Sequence, residues 1–165
     1  MNIFMLDTNP KLAARYHNDR HCVKMILESA QLLSTAHFVL DGISSTTLRP
    51  THINHPCALW VRSGPVAYNW TSELMYWLLR EYTARYGKVH AYEELWPLLA
   101  HHPSGLPTRV TFLGDAPQCM PEEYKNHGNP VAAYRRYYFG AKQHIAQWKC
   151  GEPVWWTLMK EEALT

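Results

Sequence analysis

The sequence predicts an all-α fold, in which a single compact domain of about four to six helices carries two long irregular loops. Apolar residues recur every three or four positions along several long segments, which is the period of an amphipathic helix. No segment alternates apolar and polar residues as a half-buried strand would. The chain has 165 residues, of which 47% are hydrophobic. One core can therefore form, and we expect one domain over residues 1–165.

The first long helix is predicted over about 18–40. Pro10 opens a brief helical turn before it, since proline is favoured at the first position of a helix. Asn18 or Asp19 caps the long helix, because short polar side chains accept hydrogen bonds from free backbone N–H groups. Gly42 ends it. A long loop rich in serine, threonine, histidine and proline follows.

A core helix is predicted over about 65–86, where apolar residues keep the helical spacing between two glycines. A shorter helix is expected over residues 90–100, ended or kinked by Pro97. Residues 101–128 contain several prolines and glycines and form a second irregular stretch. The tail EPVWW is expected to close the compact part of the chain, with its two tryptophans anchored in the core.

A basic helix is predicted over about 130–149, with Asn129 as its cap and Pro130 in its first turn. Three of its cations are spaced by seven residues and would share one face beside aromatic rings. Cations hold phosphates and rings stack on bases, so this face is expected to contact nucleic acid. An ordinary basic surface helix is the alternative. The residues concerned are Tyr134, Arg135, Tyr138, Lys142 and Lys149.

A polar row runs along the first long helix. Its members are His17, His21, Lys24, Glu28, Gln31 and Thr35. Their spacings of three and four residues put them on one narrow stripe, and most other sides of the helix are apolar, which is typical of a mostly buried helix. We therefore predict that the polar row lines a cleft. The alternative is that it is the solvent face of an amphipathic helix.

The loop THINHPCALW concentrates polar and aromatic side chains. They are His52, Asn54, His55, Cys57 and Trp60. Together with two histidines of the polar row they offer zinc ligands, but the ligand spacings of known zinc sites are absent. We predict no metal, and expect this loop to hold its own structure or to contact a ligand.

Composition narrows the class of protein. The formal net charge is +2, and the chain has seven tryptophans and ten tyrosines, an excess of aromatic residues that favours a binding function. The Walker, GxGxxG and GxSxG motifs are absent, so nucleotide cleavage, dinucleotide chemistry and acyl hydrolysis lose their usual signatures. No signal peptide or membrane span is expected. Four scattered cysteines without a CxxC pair favour a reducing cytoplasm over a disulfide framework.

Several long segments resemble a known family. They are DTNPKLAARYHNDRHCVKMILESAQLLSTAH, NHPCALWVRSGPVAYNWTSELMYWLLREYTARYGK, MPEEYK and PVAAYRRYYFGAKQHIAQWK. Together they resemble the small phage and bacterial pyrimidine-dimer DNA glycosylases of the endonuclease V type. The likeness covers most of the chain, and it is strongest to uncharacterised members that carry the same HxxKMxxE and NHPxxxW signatures.

The resemblance implies an all-helical, metal-free enzyme that needs no cofactor, binds and bends double-stranded DNA, and opens the duplex at a damaged or modified base. In this family the N-terminal α-amino group attacks the sugar C1′, a glutamate on the first long helix assists, and the resulting imine allows strand cleavage by β-elimination. Such amines are partly neutral, and therefore nucleophilic, near pH 7.

Carried onto this chain, the glutamate role falls on Glu28. The amine role has more than one candidate, because Asn2 follows a methionine that is generally retained. The nucleophile is then the amine of Met1, or Lys24 after desolvation, with His21 as a nearby base, or there is no covalent step. Candidate contacts to substrate or DNA outside the basic helix are His17, Arg20, Gln31, His52, Asn54, His55 and Trp60.

The leading hypothesis is thus a monomeric cytoplasmic DNA glycosylase, with or without lyase activity, of a bacterial cell or a phage-infected host. One alternative is an enzyme on the same scaffold that modifies DNA bases or nucleotides without breaking the strand. The other is a non-catalytic helical module that binds DNA through its basic helix.

Overall fold

The computed structural model describes residues 1–42 and 46–165, and within these ranges it contains seven α-helices and no β-strand. The helices are α1 (Pro10–Tyr16), α2 (Asp19–Asp41), α3 (Pro56–Val61), α4 (Pro65–Tyr86), α5 (Trp96–Leu99), α6 (Pro130–Ala141) and α7 (Val154–Ala163). Short 3₁₀ segments lie at Ala91–Leu95, Leu113–Asp115, Glu122–Tyr124 and Gln143–Ile145. The all-α prediction is confirmed.

Helices α2 and α4 form the centre of the molecule, and both match their predicted ranges. The side chain of Asn18 caps α2 by accepting the backbone N–H of His21. Gly42 ends α2 with φ +68°, in the left-handed region that favours glycine. α1 and α2 both pack against α4, and fully buried side chains such as Met25 and Leu74 fill the space between them.

Two short helices raise the number above the predicted four to six. α3 begins at Pro56 inside the segment that we predicted to be a loop, with the ring of His55 accepting the N–H of Cys57. α7 continues the chain beyond the tail that was expected to close the compact part. Trp156 of that tail is nevertheless buried, as predicted.

The segment over 90–100 also differs from prediction. A 3₁₀ turn, Ala91–Leu95, leads directly into α5, and Pro97 lies in the first turn of α5. Proline is tolerated there because the first N–H groups of a helix have no partner within it. The irregular stretch over 101–128 is as predicted, with 3₁₀ turns as its regular elements.

The basic helix is shorter than predicted, because α6 ends at Ala141 and not near residue 149. Its last turn is crowded by a neighbouring ring: a Cβ at Gly140 would lie 2.4 Å from a ring carbon of Tyr124. After Lys142 the chain turns away through the 3₁₀ segment Gln143–Ile145.

Contacts with the start of α2 hold this turned segment. The N–H of Asp19 donates to the carbonyl of Gln147 over 2.8 Å, and the N–H of Lys149 donates to the Asp19 carboxylate over 3.1 Å. The second bond satisfies the N–H of Lys149, which a continued helix would have paired with a carbonyl four residues earlier. The prediction that Arg135, Lys142 and Lys149 share one helical face is therefore wrong.

Within the described residues, no helix has the length and apolar content that crossing a bilayer requires.

Candidate active site at the start of the chain

The start of the chain touches the polar row at Glu28. The backbone N–H of Asn2 donates a 2.9 Å hydrogen bond to Oε2 of Glu28, and this contact is buried. The other carboxylate oxygen lies 3.4 Å from Nζ of Lys24, one turn earlier on α2. The Lys24 side chain is 66% exposed and the Glu28 side chain 12%. We call Met1, Asn2, Lys24 and Glu28 the chain-start site: a buried carboxylate lies between the first residues and a cation at the surface.

Hydrogen bonds of its side chain fix Asn2 in place. Its Nδ2 donates to the carbonyl of Cys119 over 2.9 Å, and its Oδ1 accepts from the hydroxyl of Tyr134 over 2.6 Å. That hydroxyl also lies 2.6 Å from the carbonyl of Pro117. Burial raises the pKa of Tyr134, so its phenol keeps its proton and can donate. Helix α6 and the irregular stretch together hold the backbone N–H of Asn2 against Glu28.

A second group of chemically active side chains lies beside the first residues. His55, Cys57 and Cys119 each place a nitrogen or sulfur atom within 4.8 Å of the others, and we call them the cysteine–histidine cluster. The pKa of His55 is lowered, first by burial and then by the positive charge of the α-amino group at Met1. Glu28 acts on the same ring in the opposite direction. The cluster and the chain-start site are therefore neighbours in space.

His21 does not belong to this site. Its Nδ1 lies 2.6 Å from the hydroxyl of Tyr138, and its ring centroid is 4.4 Å from that of Phe4. Burial lowers the pKa of His21 to about 3, so the ring is neutral near pH 7. Seven residues separate it from Glu28, which is about 10 Å along a helix. The prediction that His21 is a nearby base for Lys24 is wrong, because the ring, with its low pKa, is a weak base and is already bonded to Tyr138.

His17 is not part of α2 at all. It caps the C-terminus of α1, with Nδ1 2.6 Å from the carbonyl of Ala13. Its side chain is fully buried, and burial lowers its pKa to about 4. The predicted direct contact of His17 with DNA is incompatible with this burial.

The remaining members of the polar row have different roles. Gln31, one turn after Glu28, is half-buried. Thr35 is buried and accepts the backbone N–H of Thr51 through its hydroxyl over 3.2 Å, so it holds the following loop to α2. The middle of the polar row, at Lys24, Glu28 and Gln31, is thus partly exposed, whereas the side chains at both of its ends are packed inside the protein.

The loop before α3 has both exposed and buried members. His52 and Asn54 are exposed, and Nδ1 of His52 lies 2.7 Å from the hydroxyl of Thr51. Trp60 is only 7% exposed and packs edge-on against Trp70. The predicted contact of Trp60 with DNA is therefore wrong, because its ring belongs to the core.

Arg135 is occupied by contacts within the protein. Its guanidinium donates to the carbonyl of Leu6 over 2.8 Å and pairs with the carboxylate of Asp7 over 3.0 Å. The rings of Tyr16 and Trp155 lie within 5.5 and 5.3 Å of the same group. This arrangement ties α6 to the first residues, and it contradicts the prediction that Arg135 is a free phosphate contact.

The tyrosines of α6 are likewise enclosed, since Tyr134 and Tyr138 are both fully buried. They cannot stack on bases as predicted. They instead hydrogen-bond Asn2 and His21, respectively, and so position the chain-start site and close the other end of the polar row.

Three predicted cations keep some exposure. Lys142 lies 4.9 Å from the ring of Tyr137, and Lys149 lies 5.7 Å from that of Tyr86. Arg20, in the first turn of α2, is exposed, and it has no hydrogen bond or ion pair with any residue in the described ranges. Arg20 is therefore the predicted phosphate contact with the fewest competing partners inside the protein.

Sequence reasoning missed the parts played by Asn2 and Cys119. Asn2 was considered only for its effect on methionine removal, although its backbone N–H is what meets Glu28. Cys119 lies in the irregular stretch, where no periodicity indicates which residues approach one another. His55 and Cys57, two residues apart in a histidine-rich loop, were the only signal for the cluster.

No family model, no curated protein and no solved structure matches this chain. Membership of the pyrimidine-dimer glycosylase family therefore stays a prediction, and the proposed function rests on the residues of the site.

Proposed function

We propose that the protein is a DNA glycosylase with AP-lyase activity, which removes a damaged or modified pyrimidine from double-stranded DNA. The observation that carries this proposal is the buried hydrogen bond from the backbone nitrogen of Asn2 to the Glu28 carboxylate. A nucleophilic amine at the start of the chain, with a carboxylate in contact, is the pair of groups that the resemblance to pyrimidine-dimer glycosylases requires.

The chemistry follows from that pair. The lone pair of a neutral amine bonds to the sugar C1′ while the bond from C1′ to the base breaks, and the electrons of that bond leave with the base. A carboxylate at this point takes the proton of the attacking amine and stabilises positive charge that develops on the sugar. The C1′–O4′ bond of the resulting N,O-acetal then breaks, O4′ takes the proton held by the carboxylate, and an iminium forms at C1′. Loss of a proton from C2′ gives an enamine, which expels the 3′ phosphate as the leaving group.

Two amines of the chain-start site are candidates for the attack. Lys24 was expected to act only if it were desolvated, but its side chain is 66% exposed and ion-paired with Glu28. The amine at the chain start is the better candidate, because Glu28 bonds the backbone there. Removal of Met1 would turn the nitrogen that contacts Glu28 into the α-amine itself.

Borohydride trapping tests this proposal. The purified protein is first weighed intact to establish whether its chain begins at Met1 or Asn2. It is then incubated with duplexes that contain an abasic site, a pyrimidine dimer or an oxidised pyrimidine, and borohydride is added. We expect a covalent adduct whose peptide map places the DNA on the first residue.

Lys24→Arg is the matched control, since arginine keeps the positive charge beside Glu28 and removes the primary amine. The adduct should persist in this variant. An adduct that maps to Lys24 would overturn the assignment of the amine, and the absence of both adduct and base release across the duplexes would overturn the proposed function.

One observation favours a second candidate. The group bonded to Glu28 is a peptide N–H, which is not a nucleophile. If Met1 is retained, the carboxylate acts instead as the general base that activates a water molecule. The protein would release or modify a base without forming an imine or cleaving the strand. Base release without a trapped adduct identifies this case.

A further inference from the structure

The cysteine–histidine cluster joins two distant parts of the chain. His55 and Cys57 flank the first residue of α3, and Cys119 comes from the irregular stretch that also binds Asn2. Each contributes one ligand atom, all within 4.8 Å of one another. Cys57 is buried, while His55 and Cys119 are half-buried. Both cysteines are free thiols, so the cluster offers one imidazole and two sulfurs as metal ligands.

The spacing of the two sulfur atoms fits a shared metal ion. Sγ of Cys57 and Sγ of Cys119 are 3.6 Å apart. Two thiolates that bind one tetrahedral zinc ion, at about 2.3 Å each, lie about 3.8 Å from one another. We propose that His55, Cys57 and Cys119 bind one zinc ion, a use of these residues that is separate from the glycosylase chemistry proposed above.

The charges of the three ligands also suit a divalent cation. Two thiolates and one neutral imidazole balance the charge of a divalent cation and release two protons when it binds.

Zinc binding changes one hydrogen bond of α3. Nδ1 of His55 accepts the backbone N–H of Cys57 over 3.1 Å. Zinc at either ring nitrogen removes this cap, because it takes the lone pair of Nδ1 or, when bound at Nε2, leaves the ring proton on Nδ1. The loss of one helix-capping hydrogen bond is small beside the gain from zinc binding to thiolates.

The cluster supplies three protein ligands in the described ranges. Structural zinc sites have four, whereas three protein ligands leave a position for water or for a ligand atom of a substrate. The first residues lie next to the cluster, since Nδ2 of Asn2 donates to the carbonyl of Cys119 over 2.9 Å. We therefore expect the fourth position to lie near the chain-start site.

Metal titration of the fully reduced, chelator-treated protein tests the inference. Zinc chloride should bind at one equivalent per chain, as measured by competition with a chromophoric chelator. Cobalt, used as a spectroscopic substitute, should give the intense visible bands of a tetrahedral site and a thiolate-to-cobalt band in the near ultraviolet. Neither readout depends on catalytic activity, so the outcome is independent of the proposed function.

Three variants make the test specific. Cys119→Ser removes a half-buried sulfur with little change in shape, and His55→Asn removes the imidazole while keeping a good helix cap. Each should weaken zinc binding by more than the roughly 10- to 100-fold that loss of an outer-shell partner costs. Cys150→Ser is the control, because this half-buried cysteine contacts the carbonyl of Arg15 and not the cluster.

The inference is overturned if the reduced protein binds less than one equivalent of zinc, or if its cobalt complex lacks the thiolate band. It is also overturned if Cys119→Ser and His55→Asn, with their helical circular dichroism intact, bind zinc as well as Cys150→Ser does.

Discussion

His21 and Glu28 lie seven residues apart on one face of α2 and differ in exposure and in hydrogen bonding. We call their surroundings the closed level and the open level, respectively. At His21 the polar row is closed. The ring packs against the ring of Phe4, shares a hydrogen bond with the hydroxyl of Tyr138, and is neutral. At Glu28 the row is partly open, with an exposed lysine on one side and a backbone N–H on the other. One pattern of polar residues thus serves packing at one level and presents a reactive group at the next.

The difference comes from what the first residues place against α2. Phe4 offers an aromatic ring to His21, whereas Asn2 offers only its backbone N–H to Glu28. Phe4 also has φ +40°, an uncommon conformation for a residue other than glycine. Here the unusual backbone lies at the closed level, where Phe4 packs against His21.

The substitution Glu28→Gln gives the largest expected effect. Glutamine can still accept the N–H of Asn2, but it cannot take a proton or balance positive charge on the sugar. We expect base release to fall by about 10²- to 10⁴-fold, as measured under single-turnover conditions, with DNA affinity little changed. Equal activity of the variant and the parent would show that the open level is not catalytic.

Acid should destabilise the folded protein because His17 is buried. Burial lowers the pKa of His17 to about 4 from its ordinary 6.5, so the unfolded chain binds the proton first as pH falls. The free energy of unfolding therefore decreases from pH 6.5 down to about 4, by about 3 kcal/mol for this group. Urea unfolding across this range measures it.

His17→Gln provides the control for the acid effect. Whatever its absolute stability, this variant should show a shallower dependence of the unfolding free energy on pH. Parallel curves for the variant and the parent would contradict the assignment to His17.

Tyr138→Phe tests the closed level by itself. The change leaves Nδ1 of His21 without its partner in a buried position, which costs about 1–3 kcal/mol of unfolding free energy. Base release at saturating DNA should be unchanged. Tyr137→Phe, on the same helix and half-buried, is the matched control and should cost much less; a loss of activity with Tyr138→Phe would make the two levels functionally coupled.

The smallest effect is expected for Arg20→Ala. An exposed arginine that contacts one phosphate should change the slope of log affinity against log salt by about 0.9, with a modest loss of affinity at low salt. Lys160→Ala, on the exposed side of α7 and paired with Glu152, removes one positive charge elsewhere. If both variants changed the slope equally, Arg20 would have no special place in DNA binding.

Some of the fold was predictable because the signals are local. The ranges of α2 and α4 follow from caps and periodicity within each helix. Glu28 also could be singled out, since it is the only carboxylate of the polar row. The end of α6 was not predictable, because the chain beyond it is held by Asp19, a residue 130 positions away in sequence.

The candidate site, too, was predictable only where the signal is local in sequence. Helical spacing identifies which residues share a face, but burial at each level depends on residues far away in sequence, such as Phe4 and Tyr138 at His21. Cys119 reaches Cys57 from a stretch without helical or strand period, so no spacing rule predicts the pair. Arg135 was assigned to DNA because its sequence neighbours do not reveal Asp7, its ionic partner.

The bond between Asn2 and Tyr134 has a consequence for how the protein matures. The residues it joins are 132 positions apart, so Asn2 is synthesised long before its side chain has this partner. During synthesis, the amide that meets Glu28 has no fixed position until α6 has left the ribosome. A chain truncated before α6 would keep Glu28 and its first residues yet lack the tyrosine that brings them together.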